Sequence, residues 1–332
     1  MTRFYDKYVL VTGGAGFIGS NFLEYFVRKY PNYHFTCIDK LNYASQCSTA
    51  SLSVLKGYPN FTFIKLDLSE SFSELRQLLV EDFPINQITD IVNFAAESSV
   101  DKSFSDPLYF TRNNILVTQN LLECMRLLKQ QNSQISVRLL HISTDEVYGD
   151  SDILNDEQGR LLPTNPYAAT KASIDLIIHS YQCSYDLSVT IIRPNNIYGP
   201  HQYPDKIVPV TIERLTKGIK IPIHGIGSNK RRYLHVQDFL DALELIWQND
   251  ESINEIYNVG SDEEISNLSL VKLICHLYDR KLTKEQINDK VQFIPDRNYN
   301  DMKYSTTCGK IKSLGWKPRI KLVDGLSSLL VE

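Results

Sequence analysis

From Tyr8 to Arg193 the hydrophobic and polar positions alternate between two rhythms. Short runs rich in β-branched and aromatic residues occur at Tyr8–Thr12, His34–Asp39, Phe61–Lys65, Asp90–Phe94, Arg138–Ser143 and Ser188–Arg193, each of strand length. Between them, Asn21–Tyr30, Ser71–Glu81, Pro107–Lys129 and Pro166–Tyr185 have the length and spacing of helices. Strands alternating with helices predict βαβ units, and hence an α/β fold with a doubly wound parallel sheet covered on both faces.

Beyond Arg193 the rhythm loosens. Pro194, Gly199, Pro200, Pro204 and Pro209 punctuate the chain, and Gly218, Pro222, Gly225 and Gly227 follow. This predicts a smaller C-terminal lobe, with the short run Glu255–Val259 returning to the main sheet. The expected division is a sheet domain of residues 1–193 with 235–262, and a second lobe of 194–234 with 263–332. The helix Pro107–Lys129 carries apolar residues on more than one face, among them Leu108, Phe110, Val117, Leu121 and Met125, so it is expected to be buried on both sides. Paired with Pro166–Tyr185 it supplies half of an intersubunit four-helix bundle, which predicts a homodimer; burial within one monomer is the alternative.

Composition narrows the function classes. At 332 residues, with 42% hydrophobic and 22% charged residues, the chain has the balance of a soluble globular protein. A net charge of −4 offers no electrostatic footprint for nucleic acid. The cluster Lys230-Arg231-Arg232 is too short to change that, and suits a solvated turn or a small anionic ligand. No apolar stretch approaches the roughly 18–20 residues of a membrane helix, and no secretory segment is visible, so no membrane partner and a cytoplasmic location are expected. The six cysteines are scattered, without a Cys-x-x-Cys pair or a histidine cluster. They read as reduced packing residues, and no metal site is expected.

The first strand leads into Gly13-Gly14-Ala15-Gly16-Phe17-Ile18-Gly19. Glycines at 13, 16 and 19 let a backbone turn tightly and approach a pyrophosphate, whose charge then meets free N–H groups at a helix start. Asp39, at the end of the second strand, is placed to accept hydrogen bonds from ribose hydroxyls and to repel a 2′-phosphate. The pattern is that of a Rossmann-type domain holding NAD, although Lys40 keeps NADP admissible. Asp67, ending the third strand, is a plausible adenine partner, or a helix cap before Glu70.

Two further constellations carry chemistry. Tyr167 and Lys171 stand four apart, on one face of a helix that Pro166 starts. A free phenol, with a pKa near ~10, is a poor base at neutral pH, and a neighbouring ammonium favours the phenolate. Upstream, Ser143-Thr144-Asp145-Glu146-Val147-Tyr148-Gly149 lies at the C-terminal end of a strand, the sheet edge where ligands sit. Burial and mutual repulsion would separate the pKa values of Asp145 and Glu146, supplying one acid and one base. Successive strand residues point to opposite faces, so both reach one pocket only if the chain is already turning there.

These motifs resemble those of the extended short-chain dehydrogenase/reductases, and most closely the dTDP-glucose 4,6-dehydratases. The resemblance covers nearly the whole chain: Thr12 to Ser20, Asp39-Lys40-Leu41-Asn42-Tyr43-Ala44, Phe94-Ala95-Ala96-Glu97-Ser98, Ser143 to Gly149, Tyr167 with Lys171, Asn196-Ile197-Tyr198-Gly199-Pro200 and Arg231-Arg232-Tyr233-Leu234. It implies oxidation at carbon 4 of a nucleotide-linked glucose, loss of water across carbons 5 and 6, and reduction at carbon 6, with no net consumption of NAD. Tyr167 is implied as the base on the 4-hydroxyl, Thr144 as its hydrogen-bond partner, and Lys171 as the holder of the nicotinamide ribose. Glu146 is implied as the base at carbon 5, and Asp145 as the acid that protonates the departing 6-hydroxyl.

By the same resemblance Phe17, Ile18, Asn42, Leu68, Ala95, Ala96 and Ser98 join Gly13, Gly16, Gly19, Asp39, Lys40, Asp67, Tyr167 and Lys171 around NAD. Ser98, Thr144, Asn196, Lys206, Arg231 and Arg297 are implied around the nucleotide sugar, arginine being suited to bidentate phosphate contact. The chain departs from the family pattern at Ser99, where many members carry His, at Val117 in place of a usual Gly, and at Asn298 in place of Pro. It also shows no aromatic ending after Leu329-Leu330. The choice between thymidine and uridine is not readable from these residues. A UDP-hexose 4-epimerase or a UDP-glucuronate decarboxylase shares the loop and the Tyr–Lys pair, but an epimerase has no need of Asp145-Glu146. A silent NAD-binding regulator is the alternative of a different class.

Overall fold

The computed structural model describes residues 5–82 and 88–330; the outermost ends of the two expected lobes lie outside the described residues. Seven strands form the main sheet: β1 (Lys7–Thr12), β2 (Tyr33–Asp39), β3 (Phe61–Lys65), β4 (Asp90–Asn93), β5 (Arg138–Ile142), β6 (Ser188–Pro194) and β10 (Ile256–Val259). Their order is β10-β6-β5-β4-β1-β2-β3, and all six pairings are parallel. The run near residue 255 therefore does return to the main sheet, beside β6. The strand order reverses between β1 and β4, which opens a crevice beyond their C-terminal ends.

Alternation along the strands divides the apolar residues between two layers. Val9, Val11, Phe35 and Cys37 face one side, and pack with Phe22 and Phe26 of the helix Phe17–Lys29 and with Phe239, Leu243 and Trp247 of the helix Val236–Trp247. Cys308, Ile311 and Trp316, far along the chain, pack into this same layer. Leu10 and Ile38 face the other side, beneath Val117, Leu121, Leu122 and Met125 of the helix Pro107–Gln131 and Ile174 and Ile178 of the helix Pro166–Tyr185. Most of the apolar surface of Pro107–Gln131 is thus covered within one chain. Leu108 and, on its neighbour, Leu176 remain exposed.

Two helical expectations shift. The first helix begins at Phe17 rather than Asn21, with Gly16 as its N-cap. Glycine's poor helix propensity hides that start in the sequence, while close packing requires it: a Cβ on Gly19 would lie 2.3 Å from the Gly13 carbonyl oxygen. The helix expected over Ser71–Glu81 is α-helical only over Phe72–Arg76, and widens to a π-helical turn over Gln77–Asp82.

In the smaller lobe β9 (Lys230–His235) lies between β7 (Asn196–Tyr198), to which it is parallel, and β11 (Glu264–Ser266), to which it is antiparallel. A separate parallel pair joins β8 (Ile221–His224) to β12 (Val291–Ile294). The glycine-rich stretch has a structural use at Gly218, whose left-handed backbone (φ +66°) stops the helix Ile207–Lys217. All six cysteines are free, with Cys47 and Cys183 exposed and the other four buried. Among the described residues no helix is long and apolar enough to cross a membrane, and no cluster of metal-ligating side chains forms.

Candidate active site

At the end of β1 the chain turns at Gly13, which takes φ +67° and donates its N–H to the Ile38 carbonyl at 2.9 Å. A Cβ at Gly13 would fall 2.6 Å from the Ala95 backbone nitrogen, so the loop and the end of β4 touch backbone to backbone. At Gly16 a Cβ would meet only the Gly13 oxygen, at 3.3 Å, and a longer side chain would stand in the cleft. The loop is therefore a bare-backbone cradle at a helix N-terminus, suited to a pyrophosphate.

Asp39 is held by that loop. Its Oδ2 accepts from Ala15 N–H at 2.9 Å and its Oδ1 from Leu41 N–H at 2.7 Å. Burial pushes its pKa up, against those two backbone donors. Lys40 turns away from it. Its Nζ donates to Tyr109 Oη (2.9 Å) and Asn113 Oδ1 (2.7 Å), and sits 3.7 and 3.6 Å from the carboxylates of Asp67 and Glu97. The lysine that kept NADP admissible in the sequence is engaged by the long helix and two acids. Asp67, Leu68 and Ala95 line a shallow pocket with Asp39 and Lys40, and Gly13, Gly16, Asn42 and Ala96 line both this pocket and the main cavity.

The main cavity continues past Phe17, Ile18, Gly19 and Ser98 to Thr144, Glu146, Tyr167 and Lys171. β5 ends at Ile142, and Thr144 caps a single 3₁₀ turn, Asp145–Tyr148, by accepting from Glu146 N–H at 3.3 Å. Although the chain has left the strand there, only one of the two acids lines the cavity. Glu146 lines the cavity, and its Oε2 accepts from Asn165 Nδ2 (3.1 Å) and Tyr304 Oη (3.3 Å). Asp145 lies behind that wall, 3% exposed, with Oδ2 accepting from Asn195 Nδ2 at 2.9 Å. Burial pushes its pKa up to about 7; the Glu146 charge adds to this, and the Asn195 donor and Arg231 oppose it.

Tyr167 follows the cap and first residue of its helix: Asn165 accepts from Ala168 N–H at 2.8 Å, and Pro166 occupies the first turn. Its phenol is pushed above its ordinary value by burial and by the Glu146 and Asp145 charges, with a Thr144 hydrogen bond opposing. The expectation that the lysine ammonium brings the phenol down is not met in this geometry. Lys171 Nζ donates instead to the Ile142 carbonyl at 2.6 Å, and burial lowers its own pKa to about 8, Asp175 opposing.

Asn196, Lys206, Arg231 and Arg297 line the same cavity. Each of the three cations has an internal acceptor. Lys206 donates to the Ser98 carbonyl at 2.6 Å, Arg297 forks onto both oxygens of Asp101 at 2.6 and 2.9 Å, and Arg231 donates to the Asp301 carbonyl at 2.9 Å and lies over the Tyr304 ring. Of the departures from the family pattern, Ser99 is buried and caps the helix Val100–Ser105, Val117 is core, and Asn298 is exposed.

Four site residues escape the sequence reading as functional groups: Glu97, Asn165, Asn195 and Tyr304. Glu97 is buried at the junction of the two pockets and accepts from Asn42 Nδ2 (2.6 Å) and Tyr109 Oη (3.1 Å). Asn165 was findable, since Asn before Pro at a helix start is a capping signal. Glu97 lies inside the matched segment Phe94–Ser98 without an assigned role, and Asn195 and Tyr304 carry no local signal.

The family model described as GDP-mannose 4,6 dehydratase matches residues 10–329. An uncharacterized protein of Schizosaccharomyces pombe is 52% identical, over 99% of this chain and 98% of its own length. A trifunctional UDP-glucose 4,6-dehydratase/UDP-4-keto-6-deoxy-D-glucose 3,5-epimerase/UDP-4-keto-L-rhamnose-reductase of Arabidopsis thaliana is 38% identical over 99% of this chain, which spans only 47% of that protein. A dTDP-glucose 4,6-dehydratase of Streptomyces venezuelae, solved with NAD bound, superimposes with a TM-score of 0.86 at 34% identity, covering 98% of this chain and 96% of that one. The match over residues 10–329, nearly the whole described chain, shows that the chain belongs to the NAD-dependent epimerase/dehydratase family.

Proposed function

We propose that the protein is a sugar-nucleotide 4,6-dehydratase that works with NAD on dTDP-glucose or UDP-glucose. The observation that carries this reading is the single turn after β5, which sets Glu146 in the cavity wall and a buried Asp145 directly behind it, both next to Tyr167. An epimerase or decarboxylase needs the Tyr–Lys pair but not this second acid and base.

The glycine cradle fits a pyrophosphate, Asp39 the adenosine ribose, and Lys171 the nicotinamide ribose; Asp67, Leu68, Asn42 and the Ala95–Ala96 segment complete the surroundings. Held there, NAD would supply a reversible hydride acceptor for the exchange between carbons 4 and 6, and a positive ring that would favour the Tyr167 phenolate. Tyr167 takes the 4-hydroxyl proton, with Thr144 hydrogen-bonding the same oxygen. The ketone formed acidifies carbon 5, Glu146 removes that proton, and Asp145 protonates the leaving 6-hydroxyl. Asn196, Lys206, Arg231 and Arg297 meet the nucleotide diphosphate, exchanging their internal acceptors for it. In this reading residues 1–193 with 235–262 serve NAD, 194–234 with 263–332 serve the nucleotide sugar, and two copies pair through the helices that expose Leu108 and Leu176.

Gly13→Ala is expected to abolish NAD binding, because φ is positive there and the Ala95 backbone blocks the methyl group. Cofactor content of the purified variant, read by absorbance after release, checks this. The pH dependence has a definite sign. Asp145 acts as an acid and must be protonated, so elimination is retained below pH 7 and falls as pH rises through about 7. Oxidation by Tyr167 has the opposite slope, since the phenolate is favoured at high pH. Reduced cofactor is therefore expected to accumulate more at pH 8.5 than at pH 6 in rapid-mixing absorbance traces.

The test of the whole reading is the product mass after incubation with each nucleotide glucose. Loss of one water establishes dehydration, and the faster nucleotide identifies the substrate. An isomer of unchanged mass moves the protein to the epimerases.

A further inference from the structure

Asp145 is buried behind the cavity wall, yet the proposed elimination requires its proton at a defined oxygen. Its Oδ2 is occupied: Asn195 Nδ2 donates to it at 2.9 Å, and the same amide nitrogen reaches Thr306 Oγ1 at 3.2 Å. Its Oδ1 accepts only a long, 3.5 Å hydrogen bond from Thr144 Oγ1, whose residue lines the cavity. Asn195 is itself fixed. It is 4% exposed, its backbone N–H bonds the Val259 carbonyl at 2.9 Å, and its side-chain oxygen packs where a Cβ on Gly260 would lie, only 1.6 Å from it. That oxygen has no hydrogen-bond partner, so the amide is held by its nitrogen alone.

We propose that Asn195 is a positioning residue for the elimination step: it occupies Asp145 Oδ2, so that the acid's proton resides on Oδ1 beside Thr144 and faces the reacting sugar. The shorter bond to Oδ2 disfavours a proton on that oxygen, and the long contact at Oδ1 leaves the Thr144 hydroxyl able to turn and accept one there. Asn195 lines the cavity, and its side chain bonds Asp145 and Thr306, so its larger effect falls on elimination rather than on the first oxidation. The inference rests on the dehydratase reading and deepens it.

The charged and titratable groups that face Asp145 are Glu146 on its own turn, Arg231 from β9 and Tyr167 from the helix Pro166–Tyr185. None of these is altered by changing Asn195. Removing the amide deletes a donor that favours the ionised carboxylate, so the pH at which the acid loses its proton moves upward.

The test is Asn195→Ala in the full chain, with the nucleotide glucose that the wild type consumes, following reduced cofactor and water loss separately across pH. Elimination is expected to slow on the order of ten- to a hundred-fold, as misplacement of a catalytic group does. Its alkaline limb is expected to move up by about one pH unit, the scale of one hydrogen bond to a charged group. The oxidation phase changes far less than elimination, through the Asp145 charge that bears on Tyr167. Thr306→Val, which frees the amide from its second anchor, is expected to weaken elimination in the same direction by a smaller factor, and serves if the alanine variant does not fold. An unchanged limb and rate in both variants, or an equal loss of oxidation and elimination, overturns the inference while leaving the dehydratase reading intact. No water loss by the wild type with either nucleotide overturns that reading, and this inference with it.

Discussion

Tyr167→Phe is expected to slow the first oxidation by about 10²–10⁴-fold, the contribution of a positioned general base, while NAD remains bound. The substitution removes one oxygen from a residue that is 7% exposed and keeps the ring that packs there. The glycine cradle, Asp39 and Lys171 are untouched. Because oxidation comes first, its loss also silences elimination, and no reduced cofactor appears. Single-turnover absorbance together with the NAD content of the purified variant checks both halves. A variant that still reduces its cofactor at the wild-type rate removes Tyr167 from the role of base.

Asp145→Asn gives the opposite pattern. Oxidation at carbon 4 proceeds, because Tyr167, Thr144 and Lys171 are intact, and elimination drops by about 10²–10⁴-fold for want of the acid. Reduced cofactor then accumulates and decays slowly. The structure sharpens this expectation, since burial keeps Asp145 half protonated near pH 7, and an amide at the same position donates hydrogen bonds but no proton. Turnover at the wild-type rate removes Asp145 from the role of acid, and leaves Glu146 or water to fill it.

The sheet and the cofactor loop were legible because their constraints are local. A period of two marks a strand wherever it occurs, and a turn at which any Cβ would fall 2.6 Å from the Ala95 nitrogen admits only glycine at position 13. Tyr167 and Lys171 were legible because helical spacing alone sets them on one face. What the sequence hides is direction and distance. Asp145 and Glu146 are neighbours in the chain, and only the turn after β5 decides that Glu146 enters the cavity while Asp145 sits behind it. Lys40 follows Asp39, yet its ammonium is held by Tyr109 and Asn113, some seventy positions on. Asn195 and Tyr304 reach the two acids from residues 50 and 158 positions away, so no window of sequence contains the pair.

The Lys40 arrangement also explains how one loop can carry a cation after its acid without inviting a second phosphate. A lysine that neutralises Asp67 and Glu97 is not free to answer a 2′-phosphate, and Asp39 repels it. The two effects point the same way, toward NAD.

The most direct measurement is mass spectrometry and proton resonance of the product formed from dTDP-glucose and, separately, UDP-glucose in deuterated water. The account predicts loss of one water and deuterium at carbon 5, from solvent replacing the proton that Glu146 removes. Conversion to a galactose isomer, or water loss with carbon 5 keeping its original hydrogen, contradicts it.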